Sequence, residues 1–161
     1  MKKSIIIISL IAMGCNSDNT ERNLTNSDIE KIKNLHENYR GYWLENDSAK
    51  VVSLFSEKGG LIPPQNPGNF VIGQQAISEW WFSVIDHTTY PITDFVYKSD
   101  TLLIVDSKTA IYEGVSTVSW KTMRGDSVLS TSTSSSNFVT ICIKEDYDWK
   151  ILRQIWNVRP D

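Results

Sequence analysis

The second half of the chain admits few folds. After Pro91 come four stretches dominated by β-branched and aromatic residues: TDFVYKSDTLLIVD, TAIYEGVSTVSWKTM, SVLSTSTSSSNFVTICI and DWKILRQIWNV. Such stretches, bounded by polar turn clusters, predict strands. The turns are Asp106-Ser107-Lys108, Arg124-Gly125-Asp126 and Glu145-Asp146-Tyr147-Asp148. Arg124-Gly125-Asp126 also spells an adhesion tripeptide, but it falls where a hairpin needs glycine and is read as a turn. The hydroxyl-rich STSTSSSN, residues 130–137, has a strand partner on each side and no Pro or Gly within it, so it is strand and not linker. Alternation puts Thr131, Thr133, Ser135 and Asn137 in line with Val139 and Ile141. With Val139 and Ile141 turned toward the core, Asn137 is expected on the inner wall.

Helical patterns fill the first half. Ser27-x-x-Glu30 has the form of a capping box, and Ile29, Ile32, Leu35, Tyr39, Tyr42 and Trp43 recur at helical spacing up to Asn46-Asp47. Ser48 is placed to cap a short helix, AKVVSLFSE, that Gly59-Gly60 stops. A short edge strand at Leu61-Ile62 and a proline-rich loop follow, then a third helix from Gln74 to Asp86 bearing Ala76, Ile77, Trp80, Trp81, Val84 and Ile85. Three helices before an antiparallel sheet make an α+β layout, with helices on one sheet face.

The first residues read as an address. MKK precedes the eleven-residue SIIIISLIAMG, far short of the about 20 residues that span a bilayer but suited to a signal sequence. Ala12-Met13-Gly14-Cys15 resembles a bacterial lipobox, with Ala12 where Leu is usual. This implies a signal peptide over 1–14, a lipid on Cys15, a polar tether through residue 26, and one domain over 27–161. The domain would then sit on the periplasmic or extracellular side of a bacterial envelope. Without an acylated cysteine the segment would be an ordinary signal peptide. With Cys15 acylated, Cys142 has no disulfide partner and is expected as a small buried hydrophobe. Loss of Lys2 and Lys3 leaves 14 basic against 19 acidic residues, a mature charge of −5. No basic stripe marks a nucleic-acid binder.

Residues 35–81, from LHENYRGYWLENDSAKVVSLFSEKGGLIPP to GQQAISEWW, together with the closing DWKILRQIWN, resemble the SnoaL-like branch of the ketosteroid isomerase and nuclear transport factor 2-like superfamily. The likeness runs over about residues 27–158. It implies a cone-shaped, curved antiparallel sheet whose concave face is covered by the three helices, a small-molecule pocket in its open end, and a homodimer. It also implies positions for the isomerase machinery. Tyr39 falls where a helix-one Tyr donates to the oxyanion. Pro63 falls where the general base belongs, and a proline side chain accepts no proton. The second oxyanion acid falls among Asn137, Phe138 and Val139, none of them acidic.

Candidate pocket residues are Tyr39, Trp43, His36, Trp80, Trp81, Asn137 and Trp156. His36, one turn before Tyr39, could serve as a different base; His87 at the exit of helix three and the hairpin acids Asp94 and Asp100 are further possibilities. Two His and one Cys without ligand spacing make no metal site, and no cofactor motif occurs. Trp80 and Trp81 cannot both point inward from one helix, so one of them should line the pocket or a subunit contact. Three functions fit: a lipid-anchored carrier of a small, partly apolar molecule without ketosteroid isomerase chemistry; an isomerase, dehydratase or cyclase using another base; and a non-catalytic assembly scaffold. In VSTVSWKTM, Val118 and Trp120 alternate with Val115 and Thr117. Both faces of that strand carry apolar side chains, and the outer one suits a subunit contact.

Overall fold

The computed structural model describes residues 24–64 and 70–160. The signal peptide, Cys15 and nearly all of the tether lie outside the described residues. Helix α1 (Asn26–Leu44) buries Ile32, Leu35, His36 and Tyr39 along one stripe. Its cap lies two residues before the expected one. Thr25, extended in backbone, accepts from the Asp28 N–H at 3.1 Å and donates its own N–H to the Asp28 carboxylate at 3.3 Å. Ser27 and Glu30 are already inside the helix. Asp28 is favoured because it has distant partners: Lys144 Nζ lies 2.8 Å from its carboxylate and the Trp149 indole N–H donates to it at 3.0 Å.

Helix α2 (Ser48–Ser53) is capped by Asp47, not Ser48, and is shorter than its sequence suggested. Phe55, Ser56 and Glu57 instead open strand β1 (Phe55–Ile62), which continues through Gly59-Gly60. The glycines read as a stop, yet they are what lets β1 lie close between two neighbours. A Cβ on Gly59 would stand 2.8 Å from the Ile151 carbonyl oxygen, and one on Gly60 2.6 Å from that of Val71. The expected edge strand Leu61-Ile62 is therefore the end of an interior strand. β1 pairs antiparallel with β2 (Val71–Ile72) and parallel with β7 (Asp148–Val158), so the sheet is mixed where an all-antiparallel one was expected.

Helix α3 (Gln74–Phe82) ends four residues before Asp86. Ser83 is extended, and Asp86 and His87 have positive φ, turning the chain into β3 (Thr88–Thr89). The long strands β4 (Ile92–Ile104), β5 (Thr109–Arg124) and β6 (Ser127–Glu145) follow. The sheet order is β2-β1-β7-β6-β5-β3, with β4 also on β5. STSTSSSN lies within β6, paired with β5 from Ser130 opposite Thr122 to Asn137 opposite Val115. Cys142 is fully buried, as expected, and burial pushes its thiol up to about 12.

The curled sheet wraps α1, and Ile32, Val51, Phe55, Leu61, Ile77 and Ile151, all fully buried, form the packed centre. The two ends of the cone differ. At one, Asp28 joins the start of α1 to the last turn of β6 and the first residues of β7. At the other, the strands run past the helices, and the far end of β7 (Val158) is half exposed. From Trp149 to Val158 is about 30 Å of strand.

Candidate functional site

The open end of the cone holds a cavity of about 750 Å³, within the range of small-molecule sites. Helix α1 contributes Tyr39 and Trp43, and α3 contributes Glu79, Trp80 and Trp81. The sheet contributes Phe95, Tyr97, Ser116, Val118, Trp120, Ser134, Ser136, Phe138, Thr140, Gln154, Trp156 and Val158. Five of the six tryptophans thus face one space.

Aromatic rings of the helices pack on one another and on β7, some edge to face and some tilted. Trp43 and Trp81 have centroids 5.2 Å apart, and Trp81 and Trp156 6.1 Å. Tyr39 packs among Trp43, Phe55, Trp81 and Phe95 at 6.0–6.5 Å. Burial holds the Tyr39 hydroxyl well above the usual phenol range, against a smaller opposite effect of Trp43. Tyr39 is therefore a neutral donor and not a base. Trp80 and Trp81 both reach the cavity, Trp81 half-buried inside and Trp80 exposed on the rim.

Asn137 is a correction. It is exposed, opposite Val115 and Asn157 on the convex face, away from Tyr39. The period was right and the phase inverted: Ser134, Ser136, Phe138 and Thr140 face inward. Phe138 decides this, since it stands directly opposite Trp156 in the register and packs on Tyr97 at 5.3 Å. An aromatic cross-strand pair outweighs the burial of Val139 and Ile141. The sequence alone left the phase open, because Ser130, Ser132, Ser134 and Ser136 share a face with Phe138 while Thr131, Thr133 and Ser135 share one with Val139.

The hydroxyls on the two faces behave differently. On the convex face they pair across strands, Thr117 with Ser135 and Ser119 with Thr133, both at 2.8 Å. On the concave face Ser116, Ser134 and Ser136 open onto the cavity and make no such pair among the described residues. Deeper in, Thr140 donates to the Gln154 side-chain carbonyl at 2.9 Å, leaving the Gln154 NH₂ group for another partner.

His36 is a second correction. It is buried at 2% exposure and does not line the cavity. Its Nδ1 lies 2.9 Å from the Ile32 carbonyl oxygen, and the ring stacks on Tyr112 at 3.8 Å between centroids. Nε2 is the one buried side-chain polar atom without a partner among the described residues. Desolvation lowers the ring's pKa to about 4. His36 was expected at the pocket because it lies one turn before Tyr39, but its ring packs on Tyr112 of β5 and not on the cavity. His87, Asp94 and Asp100 are exposed and off the cavity wall, and Asp100 accepts from the Tyr112 hydroxyl. Pro63 is buried just past β1, also off the wall. Glu79 is the single carboxylate on the wall among the described residues; it is exposed at the rim and accepts from Gln75 at 2.9 Å.

No protein-family model and no curated protein matches the sequence. Solved structures do resemble it. A ketosteroid isomerase-like protein from Erwinia carotovora atroseptica aligns with TM-score 0.67 at 14% identity, over 85% of this chain and 100% of that one. An NTF2-like protein with a cystatin-like fold from Novosphingobium aromaticivorans aligns with TM-score 0.61 at 16% identity, over 82% of each chain. A dehydratase candidate of the NTF2-like family from Streptomyces avermitilis aligns with TM-score 0.68 at 10% identity, over 85% of this chain and 100% of that one. The fold agrees with these neighbours over most of each chain, and the chain has the cone-shaped NTF2-like fold.

Proposed function

We propose that the protein is a lipid-anchored envelope carrier that holds a small, largely apolar molecule in its cone and performs no ketosteroid isomerase chemistry. One observation carries this reading: a 750 Å³ aromatic cavity whose wall, among the described residues, has no His, Lys, Arg or Asp and only a rim carboxylate, Glu79. A positioned base within reach of a buried substrate is what the isomerase reaction needs. Pro63 cannot be one, and His36, the other basic candidate, is sealed behind the sheet. The fold accommodates isomerase-like and dehydratase-type proteins, so an enzyme reading would have to route its proton through Glu79. An assembly scaffold with a filled cone fits less well than an open one.

The test is what co-purifies. Mass spectrometry of extracts from the purified protein should find a small apolar molecule, absent from a Ser136→Phe variant whose larger ring occupies the cavity. Equal yields of that molecule from both proteins would refute binding at this site.

The anchor is part of the proposal and rests on the lipobox-like segment. Cys15→Ser should move the protein from the membrane fraction to the soluble one. Retention in the membrane would remove Cys15 as the anchor.

A homodimer through the convex face belongs to the same proposal. Ile111, Val139, Ile141 and Ile155 lie there as adjacent half-buried residues, with Ile111 opposite Ile141 and Val139 opposite Ile155. Light scattering should give twice the monomer mass at micromolar concentration, and Ile141→Lys should return it to the monomer. A monomeric wild-type chain at high micromolar concentration would end the dimer proposal.

A further inference from the structure

Resting on the carrier reading, the wall also says what kind of molecule fits. We infer that the occupant is an electrically neutral, elongated, mostly hydrocarbon molecule with an oxygen function near each end, one against Ser116, Ser134 and Ser136 and the other against Gln154.

Neutrality follows from both signs of charge. An anion would be buried with no cationic side chain on the wall, which is strongly unfavourable. A quaternary ammonium would have to lie within about 6 Å of the centroids of rings arranged around it. The Trp80, Trp81 and Trp156 centroids are already 5.9–6.2 Å from one another. These rings pack on one another, and the one carboxylate on the described wall, Glu79, lies at the rim, so a cation deeper in the cavity has no counter-charge.

The length follows from the strand. Ser136 and Thr140 are four residues apart on one face of β6, about 13 Å. Ser116 stands opposite Ser136 on β5, and Gln154 stands opposite Thr140 on β7. Between the two polar places lies Phe138, opposite Trp156. An apolar body there displaces water from both ends, so each end needs a partner from the ligand. Gln154 accepts from Thr140 and has only its NH₂ group to offer, so the inner end of the ligand is an acceptor oxygen, a carbonyl or a hydroxyl. The serines donate or accept, so the outer end is either.

A matched series tests this by calorimetry on the Cys15→Ser full chain, which needs no detergent. The probes are trans-stilbene, its para,para′-dihydroxy and para,para′-dicarboxylate forms, and phenyltrimethylammonium. The dihydroxy form should bind at least tenfold tighter than each of the others. Ser136→Ala and Gln154→Met should each weaken it about three- to tenfold, the scale of one hydrogen bond, and leave plain stilbene within twofold. If Gln154→Met does not fold, the Ser116→Ala/Ser136→Ala pair makes the same comparison at the outer end. Stilbene bound as tightly as its dihydroxy form, or a preference for the dicarboxylate or the cation, overturns this inference and leaves the carrier reading standing. No binding of any of the four overturns both.

Discussion

The Asp28→Ala variant is expected to lose about 3 kcal/mol of stability, the low end of the cost of breaking a buried ion pair from one side, because the Lys144 side chain left behind is 29% exposed. Asp28 is 5% exposed and serves three elements at once. Its carboxylate caps α1 through Thr25, pairs with Lys144 on β6 and accepts from Trp149 on β7. Removing it leaves the indole N–H of Trp149, itself 4% exposed, with no acceptor. Asp28→Asn keeps one acceptor oxygen, enough for the indole or for the Thr25 cap but not for both, and should cost less than Asp28→Ala but more than half as much. Urea titration should show a lower midpoint with an unchanged slope. A shift under about 1 kcal/mol for Asp28→Ala would mean that the network contributes little. The Lys144 ammonium is the largest cause holding the Asp28 carboxyl well below its usual range. With its pKa depressed in the fold, this group's contribution is present above the unfolded value and is lost as pH falls below about 3.8.

Acid should weaken the fold earlier than that, through His36. Desolvation lowers the pKa from 6.5 to about 4 in the folded state, so the unfolded chain binds its proton first. Stability is then constant above about pH 6.5 and falls by about 3 kcal/mol as pH drops toward 4. The Ile32 carbonyl and the distant Asp100 charge both favour the imidazolium, but less than burial opposes it. His36→Phe keeps a ring against Tyr112 and removes the unpartnered Nε2. Its stability at neutral pH should be within about 1 kcal/mol of wild type, and its unfolding midpoint should stay flat from pH 6.5 to 4.5. A wild-type midpoint equally flat over that range would show that the imidazole is not desolvated.

Periodic features were legible in the sequence and close approaches were not. Ile32, Leu35 and Tyr39 mark the buried face of α1 by spacing alone, and the three turn clusters locate the hairpins to within a residue or two. Gly59-Gly60 misled because two glycines signal a break unless a parallel partner, β7, lies against them, and that partner is some ninety residues away. Gly114 is a similar case inside β5: a Cβ there would stand 2.0 Å from the Ser99 carbonyl oxygen of β4, a constraint invisible until the two strands are paired. The cavity's aromatic half was legible, since Tyr39, Trp43, Trp80, Trp81 and Trp156 all line it. Its polar half was not, because serines on both faces of β6 carry no hydrophobic phase. Only the match of Phe138 to Trp156 sets it.

The separation of the cone's two ends has a consequence for traffic. Residue 26, where the tether would end, sits at the Asp28 end, and the cavity opens beyond the far end of β7. With Cys15 in the bilayer, as proposed above, the domain would be held from its Asp28 end, and the cavity mouth would lie about 30 Å of strand away from that end. Cargo would then be exchanged by collision with a donor or acceptor across the aqueous compartment. Lateral entry from the anchoring leaflet is disfavoured by the same geometry, and transfer rates should scale with acceptor concentration.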